Sequence, residues 1–201
     1  MIAMIDYDAG NIKSVEKALT ALGETVVITR DKDTLLGADK VILPGVGAFG
    51  DAMAKLRKYE LEPVIHEIVD RQTPFMGICL GLQLLFEASE EAPEVSGLGI
   101  LKGRITKIPE NTALKVPQIG WNSLKFPNRG KLFEGIAEDS YVYFVHSYYL
   151  QAEDPKIVTA TTEYVTHIHA SVEKGNVYAC QFHPEKSSDV GLKILKNFVS
   201  L

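Results

Sequence analysis

The sequence contains little cysteine and no long apolar run. Its 201 residues include only two cysteines, Cys79 and Cys180, too few for the disulfide framework of a small secreted domain. No apolar stretch approaches the roughly 20 residues that a membrane-spanning helix needs, and Asp6 interrupts the N-terminal stretch before a signal sequence is complete. These absences predict a cytoplasmic protein without a membrane segment, in which each thiol requires its own explanation.

An excess of positive charge is also missing. Acidic residues outnumber basic ones by 26 to 21, which gives a formal net charge of -5, so there is no broad basic field to hold a polyanion. Nucleic acid is therefore not an expected partner. With 46% hydrophobic and 23% charged residues the composition is typical of a folded globular chain. The length suits one domain spanning residues 1–201.

The hydrophobic pattern changes at about residue 97. Before this point, short β-prone runs alternate with amphipathic stretches, which is typical of a parallel sheet covered by helices. The predicted strands are 2–6, 25–29, 40–44 and 74–78, and the last leads into a predicted helix at 80–89. After it, strand-like segments joined by turns predominate until a terminal helix. We therefore predict an α/β fold with a mostly parallel central sheet flanked by helices and a β-rich C-terminal half.

Cys79 lies between Gly77 and Gly81, where the fourth predicted strand meets its helix. Small neighbours allow the sharp turn of a nucleophile elbow, which holds the nucleophile in a strained backbone conformation. A helix N-terminus favours the thiolate form, and the N–H of Leu80 would point into the same space and could hold an oxyanion. The alternative is that Cys79 is a small buried hydrophobe beneath the helix.

The segment QFHPEKS places His183 and Glu185 on either side of Pro184. If the segment is extended, both side chains leave the same side of the strand. Glu185 could then fix the tautomer of His183 and stabilise its charged form while the other ring nitrogen faces a thiol. The alternative is a surface pair in a proline turn. The same alternation points Cys180 to the opposite face, which favours a place in the core.

The segment LPGVGAFGD contains Gly45-x-Gly47-x-x-Gly50 between a strand and a helix, as a dinucleotide-binding fingerprint does. A lone match is a weak signal, and the strand is the third instead of the first. We favour a loop that presents the N–H of Val46 or Gly47 to an oxyanion formed at Cys79. The alternative is a nucleotide-binding module in which Cys79 belongs to the core.

Taken together, GICLGLQ and QFHPEKS resemble the class I (triad) glutamine amidotransferases, and the resemblance extends over essentially the whole chain. It implies a flavodoxin-like fold, no cofactor or metal, and hydrolysis of glutamine to glutamate through a cysteinyl thioester. The implied catalytic triad is Cys79, His183 and Glu185. The residues implied for the oxyanion are Leu80, Val46 and Gly47, and those implied for glutamine binding are Gln83, His146, Ser147 and Tyr148.

Other blocks, GWN at 120–122, YFVHSY at 143–148 and the lysine of HPEKS, resemble the members of this family that pass ammonia to a (β/α)8-barrel cyclase subunit in histidine biosynthesis. Members that serve anthranilate, folate precursors or carbamoyl phosphate typically carry histidine where this chain has Leu82. One departure from the family is Asp8, where relatives commonly have glycine. The positions implied for the partner interface and ammonia gate are Asn11, Trp121, Tyr143 and Lys186.

Overall fold

Helices and strands alternate along the first half of the chain. The structure is a computed structural model and describes residues 1–8, 12–110 and 113–201. The elements are β1 (Ile2–Ile5), α1 (Ile12–Ala21), β2 (Val26–Thr29), α2 (Lys32–Leu36), β3 (Lys40–Gly45), α3 (Phe49–Lys58), α4 (Leu61–Asp70), β4 (Phe75–Cys79) and α5 (Leu80–Leu84). Strands β1 to β4 are parallel, with β1 between β2 and β3 and with β4 beside β3. This confirms the predicted alternation.

The second half adds mainly strands. They are β5 (Ala88–Ser89), β6 (Gly103–Lys107), β7 (Gln118–Ser123), β8 (Tyr141–His146), β9 (Tyr148–Ala152), β10 (Val158–Tyr164), β11 (Thr166–Lys174) and β12 (Val177–Cys180), followed by α6 (Ser188–Val199). Strand β12 lies parallel to β4. Beyond it the order continues β11, β9, β6 and β5, and β10 pairs with β11. The β-rich half is thus joined to the parallel half edge to edge, while β7 and β8 form a separate antiparallel pair.

Helices cover both faces of the sheet through one apolar stripe each. On one face α1 buries Ile12, Val15 and Leu19, spaced as the same side of a helix requires, and α6 packs into the same hydrophobic cluster. Helices α3, α4 and α5 contribute to the cluster on the other face. Full burial of a side chain such as Leu19 contributes about 1.5–3 kcal/mol. No helix in the described ranges is long and apolar enough to span a membrane.

The predicted helix at 80–89 is wrong in its length. Helix α5 ends at Leu84, and the next backbone groups bond to a distant segment: Leu98 N–H donates to the Leu84 carbonyl and Gly97 N–H to the Glu87 carbonyl. Ala88–Ser89 then pair with β6. Apolar residues at 80–86 favour a helix locally, but this tertiary hydrogen bonding competes with it. Sequence analysis also missed α2, although Asp31 caps that helix by accepting from Thr34 N–H at 2.8 Å.

The departure at Asp8 has a structural explanation. Its φ is 60°, in the left-handed region that glycine adopts most easily. Arg30 donates to the Asp8 carboxylate at 2.7 Å, and Tyr59 also donates to it. These contacts hold an aspartate in a conformation that suits glycine.

Candidate active site

The strand-to-helix turn at Cys79 has a strained backbone. Cys79 has φ 54° and ψ -110°, a conformation that costs a non-glycine residue on the order of 1–3 kcal/mol. The flanking glycines are required by close packing. A Cβ on Gly81 would lie 1.9 Å from the Leu43 carbonyl oxygen, and one on Gly77 would lie 2.7 Å from that of Gly81. The glycine spacing therefore allows the turn to pack against β3, with Cys79 at its apex.

The pairing of β4 with β12 brings His183 to this turn. Cys180 is the register partner of Ile78, so the residues after β12 lie beside the elbow. The His183 ring is buried, and its Nδ1 donates to Glu185 Oε1 at 2.8 Å. Only 1% of the Glu185 side chain is exposed, which places the carboxylate behind the ring and away from solvent.

The expected extended geometry of this segment is wrong. Pro184–Lys186 form a turn of 3-10 helix, and this turn brings the carboxylate of Glu185 back to the ring of His183. The turn is held by Ser187, whose hydroxyl donates to the His183 carbonyl at 2.6 Å and accepts from Tyr143 N–H at 2.9 Å. The predicted proximity of imidazole and carboxylate is present, but it arises from local chain reversal and not from strand alternation.

The surroundings of His183 favour its charged form. Burial alone would lower the pKa, but hydrogen bonds with Cys79 and Glu185 outweigh it and raise the pKa of His183 to about 9. At neutral pH the ring is therefore protonated, with Nδ1–H directed to Glu185. The other ring nitrogen remains for the sulfur of Cys79. A protonated imidazole beside sulfur can stabilise a thiolate and later protonate a leaving group.

A pocket of about 340 Å³ opens in front of the sulfur. Of the residues predicted for catalysis, the oxyanion or glutamine, all line this pocket except Glu185, which lies behind His183. The described residues that line the pocket are Val46, Gly47, Cys79, Leu80, Gln83, Glu91, Pro117, Val145, His146, Ser147, Tyr148, His183 and Lys186.

The glycine-rich loop reaches the pocket because β3 ends beside the elbow. Gly45 is the register partner of Cys79, so the next two residues, Val46 and Gly47, follow directly at the nucleophile. Gly47 has φ 102°, in the region that favours glycine. A Cβ on Gly45 would lie 2.6 Å from the hydroxyl oxygen of Tyr7 and 2.9 Å from the Cβ of Leu80. The first two glycines of the pattern thus serve the packing and conformation of this corner.

His146 forms part of the wall as a neutral ring. Burial lowers the pKa of His146 to about 4. Its Nδ1 lies 2.8 Å from the Tyr148 carbonyl oxygen, which can only accept, so Nδ1 carries the proton. Its Nε2 lies 2.9 Å from Oε1 of Gln118. Because the unprotonated Nε2 can only accept, we assign the Gln118 amide the opposite orientation, in which its nitrogen donates to Nε2. The ring is therefore held in one tautomer and orientation.

Two residues of this site, Gln181 and Glu91, were not predicted from the sequence. Gln181 is fully buried and joins two predicted residues, since its Nε2 lies 3.7 Å from Cys79 Sγ and its Oε1 accepts from Gln83 at 3.0 Å. Its position two residues before His183 was an available signal. Glu91 lines the pocket and accepts from Phe49 N–H at 2.8 Å. No local pattern distinguishes it from the neighbouring acidic residues.

The positions implied for a partner interface lie on the β7–β8 pair and at the pocket rim. Trp121 is 52% exposed, and its ring meets that of Tyr143 edge to face with centroids 5.9 Å apart. Lys186 is exposed and lines the pocket. Asn11 lies outside the described residues. Of the predicted interface, the structure therefore brings Trp121 and Tyr143 together and puts Lys186 at the pocket.

A metal-binding cluster is not found in the part of the chain that the structure describes: no group of three or more His, Cys, Asp or Glu side chains is arranged to hold a metal ion. His167 and His169, which alternate along β11, have other contacts. His167 bonds to Glu163, and His169 Nδ1 accepts from Ala152 N–H at 3.1 Å.

Structural comparison shows the fold. A crystal structure titled glutamine amidotransferase superimposes with a TM-score of 0.76 at 22% identity, covering 99% of this chain and 100% of that chain. The structure of PurLQS from Thermotoga maritima gives a TM-score of 0.76 at 23% identity, covering 99% and 97%.

Sequence comparison goes further. The model of the family glutamine amidotransferase class-I matches residues 3–201. Imidazole glycerol phosphate synthase subunit HisH from Moorella thermoacetica is 50% identical over 200 residues, covering 100% of this chain and 94% of that protein. The subunit of the same name from Methanocaldococcus jannaschii is 50% identical over 201 residues, covering 100% of both. The chain belongs to the class I glutamine amidotransferases and, within them, to the glutaminase subunits of imidazole glycerol phosphate synthase.

Proposed function

We propose that this glutaminase releases ammonia with a triad of Cys79, His183 and Glu185 and that a (β/α)8-barrel cyclase subunit receives it in histidine biosynthesis, in the cytoplasm. One observation carries the proposal. Cys79 is held at a strained turn, at the floor of a pocket, beside a histidine whose second nitrogen is fixed by a buried carboxylate. Such an arrangement activates a nucleophile and supplies its general acid together.

In the first step the thiolate of Cys79 attacks the side-chain carbonyl carbon of glutamine. The carbonyl oxygen becomes an oxyanion, which the N–H groups of Leu80 and the Val46–Gly47 loop would stabilise. His183 then gives its proton to the nitrogen, the carbon–nitrogen bond breaks, and ammonia leaves a glutamyl thioester on sulfur. The raised pKa of His183 keeps this proton available at neutral pH.

The second step returns the enzyme to its starting state. His183, now neutral, takes a proton from a water molecule as the oxygen attacks the thioester carbonyl. Glutamate leaves, the sulfur departs as thiolate, and His183 is again protonated beside it. Glu185 holds the ring throughout by accepting the hydrogen bond from its Nδ1–H. Water and glutamine are consumed, and glutamate and ammonia are formed.

The polar groups of the pocket suit the two ends of glutamine. Glu91 supplies a carboxylate for the α-ammonium group of glutamine. Gln83 can offer only its amide oxygen to the substrate, because the amide nitrogen of Gln83 already donates to Tyr148 and Gln181. Ser147 also lines the pocket. The His146 side chain acts indirectly, since both ring nitrogens are hydrogen-bonded within the protein.

An exposed apolar surface next to this pocket supports the proposed partner. Ile119, Trp121 and Tyr141 are 62%, 52% and 58% exposed on the β7–β8 pair, and β8 ends at His146 in the pocket wall. Large apolar side chains grouped at a surface are typical of an interface. A subunit docked here would cover the pocket, so ammonia could pass without being protonated in bulk water.

A reconstitution experiment tests this proposal. Glutamine hydrolysis is measured on the isolated chain, and then with a barrel cyclase subunit of a histidine pathway and its ribonucleotide ligand. We expect stimulation by that subunit and glutamine-dependent product formation. The Cys79→Ala complex should lose glutamine-dependent synthesis and keep synthesis from added ammonia. Glutamine-dependent turnover by the Cys79→Ala complex would contradict the triad, and stimulation by a chorismate-binding subunit instead would contradict the proposed recipient.

A further inference from the structure

A fully buried glutamine, Gln181, lies beside the proposed nucleophile. It directly follows β12, and its backbone N–H donates to the Ala170 carbonyl at 2.8 Å. Its side-chain Nε2 lies 3.7 Å from the sulfur of Cys79. Cys79 Sγ also lies 3.9 Å from the Val145 carbonyl oxygen. Gln181 therefore brings a polar side chain to the sulfur from within the protein, on the side away from solvent.

The direction of the Gln181 amide follows from its neighbours. The carbonyl oxygen of Tyr148 can only accept, so the atom of Gln83 that lies 3.1 Å from it must be the amide nitrogen. That same nitrogen lies 3.0 Å from the Gln181 amide, which must present its oxygen there. The nitrogen of Gln181 is then left to face the sulfur. The Tyr148 carbonyl thus fixes the orientation of the Gln83 amide, and through it the orientation of the Gln181 amide.

With its N–H group facing the sulfur, the Gln181 amide interacts differently with the thiolate and the thiol of Cys79. A thiolate is a good acceptor for an N–H group, whereas a thiol is a weak one, and a hydrogen bond is electrostatically stronger in a buried environment. The reverse orientation would put an amide oxygen against the thiolate and repel it. Resting on the function proposed above, we infer that Gln181 stabilises the thiolate of Cys79 and that Gln83, through its hydrogen bond, keeps Gln181 in the orientation that does so.

Thiol alkylation tests this role separately from turnover. The full chain and its Gln181→Met variant are treated with iodoacetamide across a range of pH, and peptide mass analysis distinguishes modification at Cys79 from that at Cys180. Methionine keeps an unbranched side chain of similar length and removes the N–H group. We expect the midpoint of the alkylation curve for Cys79 to rise by about one pH unit, with rates converging at high pH. In the reconstituted complex kcat should fall about tenfold while KM changes less.

Three further variants complete the experiment. Gln118→Met is the matched control, since Gln118 is also a buried glutamine near the pocket but contacts His146 and not the sulfur. Its alkylation midpoint should equal that of the unmodified chain. Gln83→Met frees the Gln181 amide to rotate and should raise the midpoint by a smaller amount. If Gln181→Met does not fold, Gln181→Leu also removes the N–H group without adding a charge and should raise the midpoint by a similar amount.

The outcomes separate this inference from the proposed function. An unchanged midpoint in a folded Gln181 variant overturns the role of Gln181 and leaves the triad standing. An equal rise in Gln118→Met also overturns it, because the effect would then be a general consequence of altering the pocket wall. Glutaminase activity that survives Cys79→Ala overturns the proposed triad itself.

Discussion

The two cysteines of this chain stand at the ends of neighbouring parallel strands, β4 and β12, and are one residue apart in register. Cys180 is completely buried, its sulfur donates to the Phe182 carbonyl at 3.5 Å, and burial raises the pKa of its thiol. Cys79 lies at a positive φ, opens on a pocket and has His183 and Gln181 beside its sulfur.

The difference between these two strand ends lies in backbone direction and in the groups that the chain brings to the sulfur. The residues that follow β12 remain buried, and Cys180 packs among apolar side chains and behaves as a small hydrophobe. Strand β4 instead reverses sharply into α5, and the reversal lifts Cys79 toward hydrogen-bonding and charged groups. Neither the residue type nor its place at the end of a strand is sufficient for reactivity.

Removal of the Cys79 thiol should give the largest effect. We expect Cys79→Ala to lower glutaminase activity of the reconstituted complex by at least about 10³-fold, because the variant has no nucleophile. Release of glutamate is the measurement. Ammonia-dependent synthesis by the partner provides the control that the complex still assembles.

Glu185→Gln tests whether the buried carboxylate is one of the groups that make Cys79, and not Cys180, the reactive cysteine. The substitution keeps the shape but removes the negative charge that helps to raise the pKa of His183. We expect kcat to fall by about 10²- to 10⁴-fold, as in other triads that lose their carboxylate.

The pH profile gives a second readout for the same variant. In the unmodified chain activity should decline as the pH rises through about 9, where His183 loses its proton. In Glu185→Gln this alkaline decline should begin at a lower pH. A decline at the same pH in both proteins would contradict the assigned role of Glu185.

His146 shows that the pocket side of the molecule also contains a group that is buried in its neutral form. Because its folded pKa of about 4 lies below the ordinary value of 6.5, protonation favours the unfolded chain as the pH falls from 6.5 toward 4. The loss of unfolding free energy from this group approaches about 3 kcal/mol at the end of that range. Urea unfolding at several pH values should show a smaller acid loss for His146→Gln than for the unmodified chain. Equal losses in the two proteins would contradict this account.

The smallest effect is expected at the core cysteine. Cys180→Ala removes a buried sulfur and should lower the unfolding free energy by about 1–2 kcal/mol, while glutaminase activity stays within a few-fold of the unmodified complex. Thermal unfolding and glutamate release measure the two quantities. A loss of activity comparable with that of Cys79→Ala would remove the contrast between the two strand ends.

Local patterns predicted much of the first half and the turn at its centre. Apolar runs that alternate with amphipathic stretches predict parallel strands and helices, because the spacing of apolar residues along the chain shows which side of each element is buried. Gly77 and Gly81 predicted the sharp turn, because glycines on both sides of Cys79 indicate positions where a Cβ would not fit. Predictions that depended on distant partners were less accurate. The length of α5 is set by hydrogen bonds to residues 97–98, and the His183–Glu185 pair forms in a turn where extension was expected.

The sequence by itself determined which chemical groups are present and which short segments turn, since those properties depend on neighbouring residues. It supplied the thiol between glycines, the imidazole and carboxylate around Pro184, and the amphipathic stripes that bury the helices. Only the tertiary structure brings these groups together in space. The pairing of β4 with β12 joins residues as far apart as Cys79 and Gln181, separated by 102 positions. The tertiary structure also places the Tyr148 carbonyl beside the amide of Gln83 and that amide beside Gln181. The direction of these hydrogen bonds could not be predicted, because it depends on which groups face one another in the folded chain.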